Sequence, residues 1–458
     1  MFPINIFKLS HNLLTVVLPF VLFILHSCFF INWIIDDAGI SFAYSRSLAY
    51  GHGLVSQPGM NPVEGFSNFS WVLLMSIFFM TKTFDPIITP KLVSFFLVLL
   101  SFITISKALK LSSKYHSLGS LFILSFLALN TAFVVWTTSG LENPLLVFLV
   151  SLILYQIMKF YKDENDIKPV IHIAILSAIC ALTRPDGILY SAAFPILAYI
   201  KMARPGKSIR YLAVYGGLFF LIAGSYIAFR YTYFGDVFPN TYYAKGEALS
   251  ILPAQWLPKM VNILVSLSIN PFFASCLVVM FIFIIINKSN SSRYETLIIY
   301  YTMLLIATLI YILLPGDWMG EFRFATPFFL FFYAFIFLLG EIVYEKAQTR
   351  KITGTFLALL IIFFAISSTL LFWKRSITFA NSPTVPFTLV AEQFGTRVDN
   401  YAVTLGIENG SVLLPDLGGT LYYSNLKVYD LAGLTDKVIG KSLVHLGINN
   451  YVERALPL

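Results

Sequence analysis

Apolar residues run along this chain in solid blocks rather than in alternation. Blocks at 13–31, 91–106, 118–136, 144–158, 170–183, 188–200, 212–229, 260–286, 297–314, 324–343 and 352–373 approach the ~20 residues that a membrane-crossing helix needs. The pattern predicts a polytopic α-helical membrane protein with about eleven transmembrane helices. A shorter block, 69–80, reads either as a crossing or as a half-inserted interfacial helix. A membrane β-barrel would show weak alternating segments of about ten residues instead.

Composition narrows the class further. Of 458 residues, 58% are hydrophobic, 17% aromatic and 12% charged. Soluble domains carry roughly 45–50% apolar and about 25% charged residues. That excludes a soluble enzyme, a nucleic-acid-binding domain, a disordered scaffold and a disulfide-stapled module. Cys28, Cys180 and Cys276 all lie in apolar segments and read as packing residues. The block at 13–31 is followed by Asn32-Trp33 and no small-residue cleavage site, so it is expected to be a retained first helix.

Charge orients the bundle. Lys107, Lys110 and Lys114, then Lys159, Lys162 and Lys168, then Lys201, Arg204, Lys207 and Arg210 occupy alternate loops. Lys288, Arg293, Lys346, Arg350 and Lys351 continue the series. Basic loops stay in the cytoplasm, and Lys8 joins them only if 69–80 does not cross. The chain therefore divides at 373: a membrane part, 1–373, with a first outer loop at 32–70, and a more polar segment, 374–458. The latter carries short strands at 412–414 and 426–429 and helices at 388–405 and 437–446, a small α/β domain placed outside the cytoplasm by parity. No internal repeat is visible, which disfavours an inverted-repeat transporter.

The opposite face collects Asp36, Asp37 and Glu64; Ser139-Gly140-Leu141-Glu142; Arg184-Pro185-Asp186; Asp236, Asn240 and Lys245; and Asp317 with Arg323. Ionisable groups at a membrane boundary are costly and mark functional sites. In the first outer loop, Ile40, Tyr44 and Leu48 recur at helical spacing. Residues 38–50 thus read as an amphipathic helix on the membrane surface, with Asp37 as its N-cap.

The loop pattern DDAxISFxYxxxLAxGxGLVxxPGxxPVEGxSNxxW, starting at Asp36 and running to Trp71, resembles the GT-C superfamily of polyprenyl-phosphate-sugar-dependent glycosyltransferases. Within it the chain is similar to the mycobacterial terminal arabinofuranosyltransferase family. The likeness continues through Ser139–Glu142, Leu182–Gly187, Phe234-Gly235-Asp236, Pro239–Lys245, Gly316–Met319 with Arg323, and Asp430–Asp436. It implies a bacterial inner-membrane enzyme with its active site on the periplasmic face. Such an enzyme moves a sugar, with arabinofuranose favoured and a hexose on the same lipid open, from polyprenyl phosphate to a cell-envelope glycan or a surface protein such as a pilin.

The chemistry agrees. A glycosyl phosphate has a good leaving group, so one carboxylate suffices to take the acceptor proton, on the face opposite the phosphate in an inverting displacement. Asp36 is the expected base, and Asp37 the cap and a partner for sugar hydroxyls. Arg184, Arg323 and Lys245 are the expected phosphate contacts, guanidinium being suited to bidentate binding. Glu64, Asn68, Glu142, Asp186, Asp236, Asn240 and Asp317 are expected supports. No cluster has zinc-site spacing; a divalent cation bridging Asp36, Asp37 and the phosphate stays open, and His52 reads as a loop residue. The alternative from another class is a secondary transporter or flippase, for which Asn270-Pro271 offers a helix break.

Overall fold

The computed structural model describes residues 6–201, 205–244, 255–267, 292–314, 316–347 and 351–442. Its helices are α1 (Ile6–Ser27), α2 (Asp36–Ala49), α3 (Phe69–Met80), α4 (Ile88–Ser112), α5 (His116–Leu129), α6 (Thr131–Thr137), α7 (Asn143–Lys162) and α8 (Lys168–Thr183). There follow α9 (Ala193–Lys201), α10 (Pro205–Phe234), α11 (Asn240–Ala244), α12 (Trp256–Ser266), α13 (Ser292–Leu313), α14 (Thr326–Ala347) and α15 (Lys351–Asn381). The last part holds α16 (Phe387–Val390), α17 (Arg397–Thr404), β1 (Ser411–Leu414), α18 (Gly418–Tyr423) and β2 (Lys427–Asp430).

Among the described residues, five helices are long and apolar enough to cross a membrane: Ile88–Ser112, Asn143–Lys162, Ile209–Phe234, Arg293–Leu313 and Arg323–Glu345. Hydroxyls inside α4 do not oppose burial, because Ser94, Ser101 and Thr104 each donate to the carbonyl four residues earlier. The block at 118–136, read as one crossing, is formed by α5 and α6, bent by 73°. Asn130 makes the break: its side chain accepts from the Phe133 amide (2.9 Å) and donates to the Tyr333 hydroxyl (2.9 Å). α3 has 12 residues, about 18 Å of helix, and so falls short of the ~30 Å hydrocarbon core. Most of block 260–286, with Cys276 and Asn270-Pro271, lies outside the described residues.

Among the described residues, several of the basic loops meet at one end. Ser113 and the Lys114 amide bind Glu341 at the end of α14 (2.6 and 3.0 Å), Lys201 pairs with Glu295 (2.8 Å), and Arg293 pairs with Glu345. A cysteine at exposed Asp163, near this end, should therefore react with an impermeant maleimide only after lysis. One at exposed Glu408 should react in intact spheroplasts, both in a chain without its native cysteines. The reverse pattern would invert the topology.

One expectation is corrected. α2 is not a surface helix: Asp36, Ala38 to Ser45 and Ser47 are all buried. Ile40 and Tyr44 share a small core with Leu54, Phe66, Val72, Phe234, Leu417, Leu421 and Val428, so the C-terminal segment covers the face assigned to lipid. α15 runs unbroken through residue 373 to Asn381. The segment beyond is stitched back onto α2. The Asp36 amide donates to the Val385 carbonyl (3.1 Å), and the Phe387 amide to the Ile34 carbonyl (2.8 Å). β1 and β2, on the two stretches read as strands, pair in parallel with Val412 opposite Val428.

Candidate active site

The α5–α6 bend aims the 139–142 turn at the start of α2. Gly140 holds it with a φ of +90°, close to Ile34 and Ala38, and its carbonyl accepts from the Trp71 indole (3.0 Å). Here the ends of several helices surround a cavity of about 530 Å³. Its polar wall carries Asp37, Ser41, Asn68, Glu142, Arg184, Asp186 and Arg323. Its apolar wall includes Ile188, Leu189, Ile310, Leu313, Phe238 and Tyr242.

The two aspartates part company. Asp36 is buried and absent from the cavity wall: its carboxylate accepts the amides of Gly418 (3.0 Å) and Gly419 (2.7 Å), capping α18. Burial pushes its carboxyl up to about 7, against the two amide bonds that favour the charge. Asp37 lines the cavity, with a carboxylate oxygen 4.0 Å from the Arg323 guanidinium. It is not the N-cap of α2, since Ile35 holds that position without a side-chain bond. The carboxylate pair read as a bridging ligand set is therefore split. Among the described residues, no group of three or more His, Cys, Asp or Glu gathers as a metal site.

A polar chain runs along the wall. Asn68 exchanges hydrogen bonds with Ser41 and donates to Glu142 (2.8 Å). Glu142 accepts from Arg184 (3.2 Å), and Arg184 donates in turn to Asp186 (3.0 Å). Arg323 pairs with Asp317 (2.9 Å). Both guanidinium groups lie over the ring of Phe324, Arg184 at 5.0 Å and Arg323 at 4.7 Å. At 5% and 9% exposure, neither arginine is snorkelling into water. Each is held by carboxylates at the edge of a cavity, where a planar fork presents donors to an anion.

No protein-family model and no curated protein sequence matches the chain. Among solved structures it is similar to the archaeal oligosaccharyltransferase AglB from Archaeoglobus fulgidus, determined with an inhibitory peptide and a dolichol-phosphate. The TM-score is 0.56 at 9% identity, over 93% of this chain and 65% of that one. The chain shares the fold of that structure. It spans less than two thirds of the neighbour's length.

Within this fold other expected site residues lie off the cavity wall. Asp236 pairs with Lys437 (2.5 Å) and Lys441 (2.7 Å), and Asn240 donates to the carbonyls of Gly433, Leu434 and Asp436. Both tie down the 430–441 segment and are absent from the cavity wall, which Leu434 of that segment joins. Glu64 is buried against Arg230 (2.5 Å) and the Tyr226 hydroxyl (2.7 Å). Lys245 lies outside the described residues. Sequence reasoning missed Arg230, Ser41 and Phe324. A charge closing the apolar run of α10 was a signal for Arg230; nothing in the sequence marked the Phe324 ring as a platform for two arginines.

Proposed function

We propose that the chain is a GT-C glycosyltransferase that moves a sugar from a polyprenyl-phosphate carrier to an acceptor hydroxyl at the outer membrane face. The carrying observation is one cavity in which Asp37 faces two buried arginines beside an apolar wall. Asp37 takes the acceptor proton as the acceptor oxygen bonds to the anomeric carbon. The bond from that carbon to the phosphate oxygen breaks, and Arg184 and Arg323 receive the charge left on the phosphate. The configuration inverts. Asp36 serves as the pin that fixes α18 to α2, so the roles within the aspartate pair are exchanged relative to the sequence expectation.

The apolar wall suits a prenyl chain, and the dolichol-phosphate of the structural neighbour supports a lipid-linked donor. The neighbour's peptide supports a surface protein as acceptor beside an envelope glycan. Arabinofuranose as the sugar, the bacterial inner membrane as the site and about eleven crossings rest on the sequence resemblance and on span lengths. Lys245 completes the proposed phosphate contacts.

Arg184→Lys and Arg323→Lys test the phosphate reading. Lysine keeps the charge and loses the fork, so the apparent KM for the lipid-phosphate sugar should rise while acceptor dependence stays level. Wild-type donor kinetics in both variants would remove the arginines from the phosphate.

A further inference from the structure

We propose that Arg375, on α15 and away from the cavity wall, is a positioning residue that holds the backbone turn presenting Arg323. The proposal rests on the reading of Arg323 as a donor-phosphate contact. Three consecutive residues before Arg323 have left-handed backbone: Gly320 (φ +72°), Glu321 (+46°) and Phe322 (+55°). Glycine adopts this freely, whereas a residue with a Cβ does so against steric resistance. Among the described residues only Lys82 shares the feature without being glycine. Left-handed residues persist where their surroundings over-determine them, and they cluster at functional sites.

Arg375 grips both strained residues at once. Its guanidinium pairs with the Glu321 carboxylate (2.5 Å) and lies over the Phe322 ring at 4.9 Å. Two further bonds fix the turn from other elements: the Trp136 indole donates to the Glu321 carbonyl (2.9 Å), and Thr384 to the Met319 carbonyl (2.9 Å). Trp136 also lies 5.8 Å beneath the Arg323 guanidinium, so the residue that secures the turn also floors the arginine it presents. A relaxed turn would move Arg323 off Phe324 and away from Asp317.

Arg375→Ala should raise the KM for the lipid-phosphate donor by roughly 10- to 100-fold, the scale of an ångström-sized misplacement, with acceptor KM and folded yield unchanged. Arg375→Lys, which keeps the ion pair and loses the stack on Phe322, should fall between. Glu321→Gly should be milder than Glu321→Ala, because both lose the ion pair and only glycine relieves the backbone. The pair Arg375→Glu with Glu321→Arg should recover part of the loss. Independently of activity, Arg375→Ala should speed amide hydrogen exchange in the segment 316–325, which Arg323→Lys should leave protected. Wild-type donor KM with unchanged exchange in Arg375→Ala, or equal Glu321→Gly and Glu321→Ala, overturns the proposal. A wild-type protein that transfers no lipid-linked sugar overturns the enzymatic reading instead, and the exchange result then decides the clamp.

Discussion

Asp37→Asn is expected to lower sugar transfer by about 10²- to 10⁴-fold, the range for losing a general base, while the protein still folds and inserts. Asparagine matches the shape of the aspartate but cannot take a proton. Asp37 sits on the cavity wall, 4.0 Å from the Arg323 guanidinium, within reach of an acceptor in the cavity. Asp36 lacks this access, because both of its oxygens are engaged by the Gly418 and Gly419 amides. Asp36→Asn should therefore weaken the protein before it weakens the chemistry. Single-turnover transfer on folded material separates the two. Near-normal transfer in Asp37→Asn together with its loss in stably folded Asp36→Asn would return the base to Asp36.

The second large effect falls on stability. A Cβ at Gly418 would overlap the Asp36 carbonyl oxygen, and one at Gly39 would overlap the Gly418 backbone. Gly418→Ala should therefore cost at least about 1–3 kcal/mol, the usual penalty of overpacking, and release α18 from α2. Limited proteolysis should then cut within 382–442 while the helices of the bundle survive. The same contact predicts a pH dependence. The Asp36 carboxyl is raised to about 7 by burial, whereas in an unfolded chain it titrates near 3.9. The folded protein thus holds a proton that the unfolded chain has released between about pH 4 and pH 7, and stability from this group falls as the pH rises through that window. Asp36→Asn should remove this slope from the thermal midpoint measured against pH. A slope identical in wild type and variant would show that Asp36 is not its source.

The helical blocks and the polar face were legible because membrane burial acts on every residue of a span and leaves few charges to place. Glu142, Arg184, Asp186 and Arg323 stood out as charges at the ends of apolar runs, and they line one cavity. The different surroundings of Asp36 and Asp37 were not legible. The Gly418 amide that occupies Asp36 lies 382 positions away along the chain, and a backbone donor leaves no trace in side-chain chemistry. The same distance hid the cover over α2: Ile40, Tyr44 and Leu48 have the spacing of a lipid-facing stripe, and Leu417, Leu421 and Val428 fill the place of lipid. Asp236 and Asn240 stood out as polar residues beside a helix end, and the distance along the chain hid their partners in the 433–441 segment.

On the proposed function, the cavity cleaves a sugar from a lipid phosphate. The direct measurement incubates purified wild type and Asp37→Asn, in nanodiscs, with a panel of polyprenyl-phosphate-linked monosaccharides and candidate acceptors, and follows free polyprenyl phosphate by mass spectrometry. Release with at least one donor by the wild type, absent in Asp37→Asn, is the predicted result. Wild-type protein that moves the intact glycolipid between leaflets and releases no polyprenyl phosphate from any donor would contradict it and make the chain a flippase.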